Sequence, residues 1–136
     1  MPKVATFVRS LALAATLATA AACGDSTGSG GVTGTYQLKS LNGNPLPAII
    51  IQVGNDKVEV TAGAVTLNSD NSFSFRLTIR VTEGGSVTTE EDTSVGTYAV
   101  NANSVVFTSE GQSFNASLTG NTLTFIDEGF TYLFEK

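Results

Sequence analysis

The chain has 136 residues, a formal net charge of −5, one cysteine, and neither histidine nor tryptophan. Without imidazole it lacks the commonest general base and metal ligand near neutral pH, and a single thiol rules out an internal disulfide. The acidic balance argues against nucleic acid or anionic lipid as a partner.

The first segment has the three parts of an export signal. Lys3 and Arg9 form a basic start, Leu11 to Ala22 an apolar run, and small residues precede Cys23. As a helix this run rises about 18 Å, against a hydrocarbon core of about 30 Å, so removal of the segment is expected rather than a permanent span. Ala20-Ala21-Ala22-Cys23 resembles the lipobox of bacterial lipoproteins, with Ala20 where that family usually carries leucine. The resemblance implies that Cys23 receives diacylglycerol, with acyl chains of the palmitate type, and becomes the mature amino terminus. Each buried methylene contributes about 0.8 kcal/mol, so several chains on one cysteine hold a protein firmly to a bilayer. Ala20 and Ala22 also suit ordinary signal cleavage, which leaves a freely secreted protein with one thiol as the other reading. Loss of residues 1–22 leaves five basic against twelve acidic residues, a net charge of −7. The expected organisation is a signal peptide at 1–22, a lipidated flexible tether at 23–33, and a domain at 34–136.

Gly24 to Thr33 reads GDSTGSGGVT, with almost no side chain able to pack. As a flexible chain it sets the domain roughly 15 to 20 Å from its anchor. Its glycines do not form a phosphate loop, because no strand precedes them and no helix pattern follows. Strand signals begin at Gly34. Ala48 to Val53, AIIIQV, breaks the alternation with three isoleucines; the expectation is a strand covered by Pro45-Leu46-Pro47, or else a contact surface. Ser72 to Thr82 is the clearest strand, with Phe73, Phe75, Leu77, Ile79 and Val81 alternating with polar residues. The same period recurs at Phe114, Ala116 and Leu118, at Leu123 and Phe125, and at Phe130, Tyr132 and Phe134. Asn42-Gly43, Gly54-Asn55, Ser69-Asp70-Asn71, Gly84-Gly85, Asn101 to Asn103, Glu110-Gly111, Gly120-Asn121 and Asp127-Glu128-Gly129 supply turn chemistry between runs. Connections this short join antiparallel neighbours, so an all-β antiparallel meander of about eight to ten strands is expected. Closing it as an up-and-down barrel removes exposed edges, and a two-sheet sandwich is the alternative.

Gly34-Thr35-Tyr36-Gln37-Leu38 with Leu41-Asn42-Gly43-Asn44-Pro45-Leu46-Pro47 resembles the opening of small bacterial lipoproteins with a lipocalin-like domain. Leu67 to Phe73, a second Gly96-Thr97-Tyr98, and the closing Phe130 to Phe134 fit the same pattern. The resemblance implies a calycin-type β-barrel and little settled function, and the Gly-x-Trp signature of true lipocalins is absent from the first strand. The repeated Gly-Thr-Tyr suggests corresponding strand starts.

Candidate wall residues of such a barrel are Tyr36, Leu38, Phe73, Phe75, Leu77 and Tyr98, followed by Phe107, Phe114, Phe125, Phe130 and Phe134. They serve either as plain core or as the lining of a ligand cavity. No catalytic or metal-binding residues and no cofactor are expected. Glu90-Glu91-Asp92 reads as a solvated, edge-protecting charge run; adjacent strand residues point to opposite faces, so Glu90 and Glu91 would not ligate one ion together unless the strand breaks there. The expected role is that of a lipid-anchored protein of the bacterial cell envelope, facing periplasm or cell surface. It would bind a small apolar ligand or lipid, or present a filled barrel to an envelope protein.

Overall fold

The computed structural model describes residues 31–136; Cys23, the expected signal and most of the expected tether lie outside the described residues. Ten strands follow one another: β1 (Gly34–Leu41), β2 (Asn44–Pro45), β3 (Ala48–Val53), β4 (Asp56–Leu67), β5 (Ser72–Glu83), β6 (Ser86–Asn101), β7 (Ser104–Ser109), β8 (Gln112–Thr119), β9 (Thr122–Asp127) and β10 (Phe130–Glu135). All pairings are antiparallel, and from β3 to β10 neighbours in sequence are neighbours in the sheet. The turns fall where glycine, asparagine and aspartate punctuate the apolar runs. In Glu110-Gly111 and Glu128-Gly129 both residues take positive φ, the backbone that matches strand twist in a two-residue hairpin.

β10 pairs with β1, and β1 pairs with β4 from Gly34↔Leu67 to Gln37↔Ala64. This second pairing closes an eight-stranded barrel from β1 and β4 to β10, and the sandwich is not formed. Beyond Gln37↔Ala64, β1 and β4 part. Their freed edges take β2, at Ser40↔Pro45, and β3, from Ala48↔Val60 to Val53↔Asp56. Bulges accompany the parting, one between Leu38 and Ser40 and one between Val60 and Ala62. Each adds a residue to one strand and sharpens its bend.

One end of the barrel is solid. Tyr36, Val65, Leu67, Phe73, Tyr98, Val105, Phe107, Leu118, Leu123 and Phe134 are buried there or just above, in one cluster. Hydrogen bonds stitch this end shut: Tyr36 Oη donates to Val32 O at 2.8 Å, Tyr98 Oη to Asn68 O at 2.7 Å, and Leu118 N to Asn103 O at 2.7 Å. Val32 packs against the core, and Lys136 Nζ donates to Thr33 O at 3.0 Å, so packing begins two residues before the expected domain start.

The two Gly-Thr-Tyr copies do not mark equivalent strand starts. Gly34 opens β1, whereas Gly96 lies well inside β6, next to the point where the β7 ladder begins at Thr97↔Thr108. A Cβ on Gly96 would stand 2.0 Å from the Thr108 carbonyl oxygen and 2.9 Å from the Phe73 ring, so only glycine lets the strands meet there. What the copies share is the tyrosine, each closing the solid end with its hydroxyl.

Candidate ligand-binding cavity

Toward the other end, the hairpin β7–β8 is loosely held on both sides. Its ladder to β9 runs only from Ala116↔Phe125 to Thr119↔Thr122, which leaves Gln112–Asn115 without partners on that strand. Its ladder to β6 ends at Thr97↔Thr108, and continuation depends on Ser109, whose hydroxyl donates to Val95 O at 2.7 Å. A wall interrupted in this way exposes interior-facing positions. A cavity of about 430 Å³ lies behind the gap, within the size range of small-molecule sites.

Its walls follow from strand phase. Phe75 and Leu77 continue the inner face of β5 above buried Phe73. Phe125 follows Leu123 on β9, and Tyr132 stands opposite it on β10. Phe125 is the hub: it stacks on Tyr132 at 4.7 Å and on Phe134 at 5.6 Å between ring centroids, with Phe75 at 6.1 Å and Phe114 at 5.9 Å. Phe114 stacks on Phe107 at 5.0 Å yet is 39 % exposed, because the strand that would cover it ends its ladder at Phe125. Beyond it Ile126 is 71 % exposed on the outer face.

Polar groups gather toward the mouth. Register places Asp92 opposite Leu77 and Ser94 opposite Phe75, so both face inward from β6. Asp127 continues the Leu123, Phe125 phase on β9, and Gln112 and Ser113 close the rim from β8. The Tyr132 phenol is pushed above its ordinary value of 10.0, first by burial and then by Asp127, Glu128 and Asp92. Among the described residues no three of the histidine, cysteine and acidic side chains come together as metal ligands would.

The expected wall set divides by height. Phe75, Leu77, Phe114 and Phe125 line the cavity, whereas Tyr36, Leu38, Phe73, Tyr98, Phe107 and Phe134 are core, and Phe130 is half-buried against it. The barrel is therefore filled at one end, while at the other Leu41, Ala48 and Val60 pack the side of β1, β3 and β4 and the cavity occupies the side of β5, β6, β8, β9 and β10. Tyr132, Asp92, Ser94 and Asp127 belong to the site and were not among the candidates. Their signal was alternation phase: Leu123, Phe125 and Asp127 share a face, and the Gly84-Gly85 hairpin fixes Asp92 against Leu77.

The charge run 90–92 is solvated, with all three side chains exposed and on alternating faces: Glu91 faces Arg76 across 3.9 Å on the outer surface, and Asp92 stands at the rim of the cavity. One expectation is corrected: the AIIIQV strand is not covered by the proline loop. A bulge at Ile50 turns that residue onto the core and leaves Ile49 and Ile51 50 % and 58 % exposed on the sheet edge.

Residues 32–125, well over half of the chain, match the family model described as lipocalin-like domain. The chain belongs to the lipocalin-like domain family. Neither the curated proteins nor the solved structures contain a match to it. The lipocalin-like match ends at Phe125, in the middle of the aromatic wall, and β10, which closes the barrel and carries Tyr132, lies beyond the matched residues.

Proposed function

We propose that this chain is an exported lipoprotein of the bacterial cell envelope, anchored through Cys23, whose barrel takes up a small apolar molecule in the cavity between β5, β6, β8, β9 and β10. The observation that carries the ligand reading is the open, aromatic-lined cavity of about 430 Å³ around Phe125 in a lipocalin-like barrel. Anchoring rests on the sequence alone, on the small residues before Cys23 and the apolar run before them. The reading is one of binding rather than catalysis, since the cavity offers carboxylates, hydroxyls and an amide but no histidine or thiol.

The experiment is an intact-mass spectrum of the native, full-length gene product extracted from its own membranes under non-denaturing conditions. Acylation adds mass at Cys23, and a retained apolar molecule appears as a non-covalent adduct lost on denaturation. A protein of unmodified mass with an empty cavity overturns both parts. A second reading, a protein-contact role, is favoured by exposed Ile49, Ile51 and Val53 on the β3 edge; a polypeptide adduct in place of a small one would select it.

A further inference from the structure

The cavity is not evenly polar at its mouth. Its lining contains two acidic side chains, Asp92 and Asp127, and no basic one. Both sit at inward-facing strand positions, where alternation places apolar residues further down: Asp127 above Phe125 and Leu123, and Asp92 beside Leu77. Both carboxylates are solvent-exposed at the cavity mouth, and Glu91, on the other phase, faces Arg76 on the outer surface.

The described cations are all placed elsewhere. Lys57 and Arg80 bind Glu59, Arg76 faces Glu91, Lys136 lies over the Tyr36 ring at 5.3 Å, and Lys39 is exposed on β1. Neither cavity carboxylate is in an ion pair with any of them. The mouth therefore presents uncompensated negative charge directly above stacked aromatic faces.

We propose, building on the ligand-binding reading above, that the cavity selects an apolar molecule bearing a positively charged amine or quaternary ammonium head. Its tail lies against Phe75, Phe114 and Phe125, and its head sits between Asp92 and Asp127, over the ring of Tyr132. Aromatic faces and carboxylates attract a cation together, whereas a carboxylate head would meet like charge at the rim. The wider surface adds to the preference, since residues 23–136 carry −7.

The test uses one tail with three heads: decyltrimethylammonium, decanol and decanoate, each titrated below its micelle concentration into the full-length chain by calorimetry. The expected order is ammonium over alcohol by about tenfold, with decanoate weakest. The Asp92→Asn/Asp127→Asn variant should lose the preference for ammonium over decanol, with an unchanged circular dichroism spectrum and melting profile. Equal binding of ammonium and alcohol, or a preference that survives in the variant, overturns the charge selection while leaving the cavity reading intact. If none of the three heads binds, the cavity reading itself falls, and this proposal with it.

Discussion

Glu59 is 4 % exposed, the one acidic side chain buried in the described barrel, and it is fully paired. Lys57 Nζ donates to its Oε1 at 3.0 Å and Arg80 donates twice to its Oε2, at 3.0 and 2.8 Å. The hydrogen bond from Lys57, followed by that from Arg80, holds its carboxyl below the ordinary value of 4.5. A carboxylate with a depressed pKa contributes stability that is fully present above its unfolded value and is lost as pH falls through the folded one. Glu59→Gln should therefore lower the melting temperature at pH 7, with the gap to the parent closing as pH falls below the ordinary carboxylate value of 4.5. Thermal unfolding at several pH values checks this. A gap that stays constant with pH would assign the loss to hydrogen bonding rather than to charge. The trio joins β4 to β5 where the two strands run beyond β1, a stretch that lacks the barrel's closing partner.

Among elements, β8 is the least evenly held. Its β7 ladder is complete from Ser104↔Ser117 to Ser109↔Gln112, but its β9 ladder covers only the last four residues. Amides exchange according to the local cost of opening. Hydrogen exchange should then divide β8, with β9-facing amides in Gln112–Asn115 exchanging at least about tenfold faster than those in Ala116–Thr119. Equal protection along β8 would mean that the two strands zip together in solution and that the cavity has no side entrance. The strands themselves were legible from period-two alternation, above all Ser72 to Thr82, and the turns from glycine and asparagine. The gap was not, because nothing in the local pattern of Gln112 to Asn115 says where its pairing to β9 stops. Likewise the three isoleucines read as buried, since a bulge at Ile50 is a register event between β3 and β4.

For the whole molecule, closure depends on β1 having two partners, β4 and β10, which no sequence period reveals. Meander order was readable from short connections, and the preference for a barrel from the need to remove edges. The division of the interior into a solid end and a side cavity was not, because Phe73 and Phe75 look alike until Phe107 packs on one of them and an open seam bares the other. The proposed anchoring through Cys23 is likewise tested on the whole chain. Replacing Cys23 by serine should leave the protein unprocessed or move it from the membrane to the soluble fraction, as read by fractionation and intact mass. A processed Cys23→Ser chain that still sediments with membranes would rule out the lipid anchor.

The pairing of β1 with β10 sets an order on assembly. These strands are separated by about ninety residues, so the contact that completes the cylinder has one of the longest loops in the chain to close. Until synthesis has passed Glu135, the edges of β1 and β9 lack the strand that lies between them, and no earlier fragment can enclose its aromatic interior. A chain still lacking β10 is thus kept open, which accords with the export proposed from the sequence before Cys23.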